Sequence, residues 1–110
     1  MRYVIQITAA GDVEAVELFG ISPSLKELQE LVGGGIETVP ANHGVLVVNR
    51  DHKKDALSLN EIATDMLRSD VHDYICGDAV LCMEDRDRLI GFLSDRAERI
   101  MRGLKESVST

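Results

Sequence analysis

"LQELVGGGIETVP", residues 28–40, places three consecutive glycines between a leucine-rich stretch and a β-branched one. To its left, "SPSLKELQELVGG" carries helix punctuation. Ser24 stands as an N-cap, Glu27 three residues on completes a capping box, and Leu25, Leu28, Leu31 and Val32 share one helical stripe. Closing that helix takes a residue at ease in the left-handed conformation, which assigns the stop to Gly33. To its right, "GIETVP" and "GVLVVNR" read as strands joined by the turn "ANHG". Helix before strand is the reverse of a phosphate-binding loop, in which glycines follow a strand and open a helix whose N–H groups face the anion. No lysine followed by Ser or Thr stands at the required spacing. Gly33, Gly34 and Gly35 are therefore read as a chain turn with a structural role.

The rest of the chain supplies the partners of these elements. "RYVIQIT" and "VEAVELF" form a predicted hairpin around Gly11 and Asp12. In the first run Tyr3, Ile5 and Ile7 alternate with Val4, Gln6 and Thr8, the pattern of a half-buried strand. Val45 to Val48 are apolar on both pleat faces, which fits an interior strand or one at an interface, so Val45 and Val47 are a candidate oligomer face. Asn60 caps a predicted short helix bearing Ile62, Ala63, Met66 and Leu67, "DAVLCM" is the last strand, and Gly77 before it marks a turn or bulge. A C-terminal helix, "SDRAERIMRGLKESV", is predicted with Ser94 as cap, Ala97, Ile100, Met101 and Leu104 inward, Arg96, Arg99 and Arg102 outward, and a frayed tail after about Lys105. The expectation is a single α+β domain over residues 1–110, a mostly antiparallel sheet of about five strands with two to three helices packed on it.

At 110 residues and 45% hydrophobic content the chain can close one core unaided. No run approaches a membrane span, and the opening residues lack the basic-then-apolar pattern of a leader, so a soluble cytoplasmic protein without membrane contact is expected. A net charge of -7 disfavours direct nucleic-acid binding, which needs a surplus of Lys and Arg. Acid is concentrated in residues 51–87, with ten acids against four bases. From residue 88 onward five bases face three acids.

Few residues offer chemistry. His72 and Cys76 have the i, i+4 spacing of two metal ligands on one helical turn, and His72 with Cys76 or Cys82 is the available base and nucleophile pair. Against both, the cysteines are flanked by Ile75, Leu81 and Met83, where a thiol is expected buried and unreactive. Six residues apart on a strand, they would lie about 20 Å from each other and could not pair. "CMEDRDR" reads as a solvated charged loop, since Arg86 and Arg88 interleave its acids. No cofactor is expected.

Four segments in order, "LKELQELVGGGIETVP", "GVLVVNRD", "LSLNEIAT" and "ICGDAVLC", make residues 3–93 resemble the small proteins filed as domain of unknown function 3846. That family shows a helix ending Leu-Gln-x-x-Val-Gly-Gly, then Ile-Glu, a Val-rich strand ending in Asn-Glu or Asn-Asp, a Gly-Leu-Pro-x-Asn element, and a strand opening Gly-x-Ala. Here Ala56, Leu57 and Ser58 precede Asn60 where the family has its glycine, leucine and proline, and "TDMLRSDVHDY" matches none of these motifs. The resemblance implies an α+β fold and a setting in bacteria, phages or mobile elements, and it carries no catalytic residues.

Three functions remain in view. The first is a small non-enzymatic interaction module, self-associating, that binds a protein partner or a small ligand. The second is an acidic inhibitor of a host nucleic-acid-handling or defence protein that imitates DNA phosphates, which requires Asp65, Asp70, Asp73, Asp78, Glu84 and Asp85 to line one face. The third is an enzyme or metal site built on His72, Cys76 and Cys82.

Overall fold

Gly33 closes a helix, as the sequence predicts. The computed structural model describes residues 1–108. In it α1 (Leu25–Val32) opens on a complete capping box, with the Ser24 side chain accepting from the Glu27 N–H and the Glu27 side chain from the Ser24 N–H. Gly33 ends the helix at φ 81°, in the left-handed region, and the N–H groups of Gly33 and Gly34 both donate to the Gln29 carbonyl. Leu28 and Val32 are buried, each stabilising the fold by about 2 kcal/mol.

Around this helix the chain builds β1 (Arg2–Ile7), β2 (Val13–Glu17), β3 (Ile36–Ala41), β4 (Gly44–Asn49), α2 (Glu61–Asp65), β5 (Ala79–Asp85), β6 (Arg88–Ile90), β7 (Phe92–Leu93) and α3 (Ser94–Val108). Five strands run in the order β2-β1-β5-β4-β3, every neighbouring pair antiparallel, with β6 on β5 and β7 on β1. Helix α1 covers one face, over Val4, Val45, Val47, Val80 and Cys82. The other face, carrying Ile5, Ile7, Leu46, Val48 and Leu81, packs against Met66 beside α2 and against Ala97 and Ile100 of α3. This is an α+β fold.

Several sequence expectations are corrected. Strand β1 is not half-buried, because Ile5 and Ile7 point to the α3 side and Val4 to the α1 side, and all three are fully covered. Val45 and Val47 offer no oligomer face: β4 lies between β3 and β5, and α1 closes over it. The acidic "CMEDRDR" is not a loop throughout, since β5 runs on to Asp85, turns at Arg86 with φ 58°, and returns as β6. Ser94 is the first residue of α3 and follows β7 directly. That helix continues to Val108, and the part of the expected frayed tail at 109–110 lies outside the described residues.

The short strands β6 and β7 wedge between β1 and β5 at one end of the sheet. Ile5 pairs with Leu81 in the middle of the sheet, but beyond that point Met83 pairs with Ile90 and Tyr3 with Phe92. Gly91 makes the step from one partner to the other, where a Cβ would stand 2.8 Å from Leu18 Cδ1 and 3.0 Å from the Tyr3 nitrogen. Only a glycine fits there without a shift.

Ala56 holds φ 53°, a left-handed conformation that costs a residue with a Cβ about 1–2 kcal/mol. Ala56→Gly is therefore expected to stabilise the protein by about 0.5–1 kcal/mol, net of the extra freedom glycine gives the unfolded chain. Urea unfolding reads this directly, and an unchanged or lower midpoint would refute it.

Candidate functional site

The family-like segments meet in space, and their polar residues are consumed by the fold. Asn49, at the end of β4, is buried against the turn that follows α1. Its Nδ2 donates at 3.4 Å to the carbonyls of Val32 and Gly33, while its Oδ1 accepts from the Asp51 N–H at 2.9 Å. A Cβ on Gly34 would come within 3.0 Å of that Nδ2. The glycine turn thus docks on Asn49.

Asn60 does the same for the other half of the molecule. It is 1% exposed, and its Oδ1 accepts from the Ala63 N–H at 3.0 Å as the cap of α2. Its Nδ2 donates to the Ile7 carbonyl at 2.8 Å and to the Gly77 carbonyl at 2.9 Å. One side chain therefore joins the end of β1, the lead-in to β5 and the start of α2. Thr64 reinforces it, donating to the Asn60 carbonyl and accepting from the Ile75 N–H.

The thiol and histidine candidates separate. His72 is exposed on an irregular segment, so the helical turn that would have paired it with Cys76 does not form. The imidazole near Cys76 belongs instead to His52, which is buried, accepts from the Cys76 N–H through Nδ1 at 2.9 Å and turns Nε2 toward Glu37 at 3.9 Å. Sequence reasoning missed His52 because its surroundings, "NRDHKK", read as a solvated charged run. Both cysteines are free and buried. Burial, with the nearby charge of Glu84 adding to it, pushes the Cys82 thiol up to about 12.

A group that resists ionising when folded but ionises near 9 when unfolded favours unfolding as the pH climbs between those values. Its stabilising contribution is complete below pH 9 and is lost progressively toward pH 12, on the order of 4 kcal/mol in all. A Cys82→Ala variant should lack that part of the alkaline slope in urea melts at pH 8, 9.5 and 11. An identical slope would refute the assignment.

The six carboxylates do not form one row. Asp70 is held by Arg68 at 3.2 Å, Asp73 by Lys53, and Asp85 lies 4.0 Å from Arg88. That hydrogen bond from Lys53, followed by one from the Tyr74 N–H, lowers the Asp73 pKa. Asp78 accepts from the Ala9 N–H at 3.0 Å, and Asp65 sits on α2. Glu84 and Asp85 stand at the far end of β5 from Asp78, about 20 Å away at strand rise. Phosphate imitation by this set loses its geometric basis.

Two surfaces remain open. One is a cleft of about 750 Å³ between the β1–β2 turn, the β3–β4 turn and α2, with Thr8, His43, Glu61 and Asp65 at its rim and Ile62 and Met66 among its apolar walls. The other is an apolar corner. The chain after β2 is tied down by the Leu18 N–H on the Arg2 carbonyl and by the Gly91 N–H on the Ile21 carbonyl, and Leu93 pairs with Arg2 alongside. Between those anchors Phe19 is 102% exposed, and on the anchored segments Ile21 and Leu93 are each more than half exposed, as is Leu25 at the start of α1. The sequence signal was present in "LFGISPS", an aromatic residue set in a Gly/Ser/Pro loop where no core position calls for one.

Among the described residues no helix is long and apolar enough to cross a membrane, and no three His, Cys, Asp or Glu side chains gather as metal ligands. Residues 1–105 match the family model described as Domain of unknown function (DUF3846), a longer span than the 3–93 suggested by the motifs. No curated protein and no solved structure matches the chain.

Proposed function

This chain belongs to the DUF3846 family, and from that premise we propose that it is a small non-enzymatic interaction module that binds another protein, in the cytoplasm of a bacterium or as part of a phage or mobile element. The observation that carries this reading is the full exposure of Phe19 on an anchored loop that also exposes more than half of Ile21. An aromatic ring held in water by a loop anchored at both ends gains nothing for the fold, whereas aromatic anchors dominate protein–protein contacts. The buried polar side chains support the same reading, because Asn49, His52 and Asn60 all spend hydrogen bonds on backbone.

A photo-crosslinking residue placed at Phe19 tests it. In cells expressing the protein, position 19 should give one discrete protein adduct that Ile21→Asp abolishes, while the same probe at the remote, exposed Lys54 gives none. Equal adducts at both positions, or none at 19, would overturn the reading. The cleft beside α2 favours a small ligand as the second reading, and a bound metabolite released on denaturing the purified protein would favour it over the first.

A further inference from the structure

Two strands bound the sheet, and the chain covers the last residues of one of them while leaving the other uncovered along its length. At the β3 edge Pro40 has no N–H to offer, Ala41 bridges Leu67, and the Asn42 N–H donates to the Met66 carbonyl. Strand β2 forms the opposite edge. It pairs with β1 through residues 13 to 17, and among the described residues no hydrogen bond from another segment reaches its outer side.

The side chains on that edge specify what could pair with it. Glu14, Ala15 and Glu17 are exposed, Val16 is half-buried, and the strand carries no cation. Neither Glu14 nor Glu17 lies within ion-pair distance of a cation among the described residues. Pairing of two copies of β2 would set Glu14 and Glu17 of each copy along one short seam without a neutralising charge, which opposes self-association. Two residues beyond Glu17 the strand leads into Phe19, so the open edge runs directly into the apolar corner.

We propose that the outer edge of β2 takes up an extended segment of a basic partner, in which two Lys or Arg residues flank two apolar ones, with Phe19 packing on what lies beyond. The proposal rests on the protein-partner reading above and specifies the partner's chemistry. An added strand satisfies the free backbone groups of β2, and its side chains stand opposite those of β2 at matching positions. Glu14 and Glu17 are three apart and point to opposite faces, so their partners must also be three apart. The pattern basic-apolar-apolar-basic is the same read in either direction, so parallel and antiparallel additions are both served.

The probe is a capped eight-residue peptide with Lys-Val-Val-Lys at its centre and Phe two residues from one Lys, compared with its Glu-Val-Val-Glu counterpart. Titrated into the 15N-labelled protein, the lysine peptide should shift the amides of residues 13–19, bind at least about tenfold more tightly than the glutamate peptide, and weaken as salt is raised. The double variant Glu14→Lys/Glu17→Lys, whose exposed sites leave the fold intact by circular dichroism, should reverse the preference. Shifts confined to the cleft, no binding, or an unreversed preference would overturn the proposal. So would a dimer in sedimentation that protects amides 13–17 without any peptide. If these arms fail while the crosslink at Phe19 persists, the partner reading stands and only the edge assignment falls.

Discussion

Asn60→Ala is expected to lower the stability by about 4 kcal/mol, a fall in Tm of about 15 °C for a chain of this size. The substitution removes the cap of α2 and strands three buried backbone groups: the carbonyls of Ile7 and Gly77 and the N–H of Ala63. Each unsatisfied buried group costs about 1–3 kcal/mol, less where water can enter the gap. Asn60→Asp separates this explanation from simple loss of a cap. It keeps an oxygen for the Ala63 N–H but turns a second oxygen toward two carbonyls, which destabilises the carboxylate and raises the pKa of the introduced group in the folded state. A raised folded pKa contributes stability below the unfolded value, near 4, and loses it as the pH rises through the folded value. The aspartate variant should therefore be closer to wild type at pH 4 than at pH 7, whereas the alanine variant keeps a constant deficit. Chemical unfolding at both pH values decides it, and equal deficits for aspartate at the two would refute the donor role of Nδ2.

Gly44→Ala should be at least as damaging, by about 4 kcal/mol or more, for a different reason. Gly44 opens β4 at φ 151°, and a Cβ built on it would stand 2.2 Å from the Cys82 carbonyl oxygen and 3.2 Å from its carbon. Those neighbours are backbone atoms of the central strand β5, so relief requires moving the strand itself, in the layer where Leu46, Val47 and Leu81 are fully buried. Gly103→Ala is the matched control. Outside its own helix no described atom lies within 4 Å of the added Cβ there, and the residue is helical, so alanine should stabilise by about 0.5–1 kcal/mol. If both variants melt near the wild type, the close approach of β4 to β5 is wrong. If Gly44→Ala yields no folded protein, the amount of Gly103→Ala recovered under the same conditions shows whether the loss is specific to that contact.

Much of the chain could be read before its shape was seen, wherever the deciding interaction is local. The capping box at Ser24 and Glu27, the stop at Gly33, the hairpin at Gly11 and the cap at Asn60 each depend on residues within four positions of one another. Such features are set by backbone sterics and short-range hydrogen bonds, which the order of residues specifies. The five strands of the main path were legible, whereas the short β6 and β7 beside them were not, and the turn into β6 is polar. Nothing in "EDRDR" itself favours a ladder, and it pairs because β5 has a free edge where β1 has moved away.

The candidate surfaces were less legible. His72 and Cys76 have metal-like spacing along the chain but no helical turn to bring them together, while His52 reaches Cys76 across twenty-four positions. Val45 and Val47 have the composition of an interface yet lie under α1. Phe19 stands in a Gly/Ser/Pro loop that hints at exposure, but its full exposure is seen only once that loop is anchored on Arg2 and Gly91. By itself the sequence determined the class of fold, the start and stop of α1, the cap of α2 and the helix-closing part played by Gly33. The tertiary structure alone decided which apolar residues face water, which edge of the sheet stays open and which carboxylates are already paired, because burial and charge pairing are set by segments far apart in sequence.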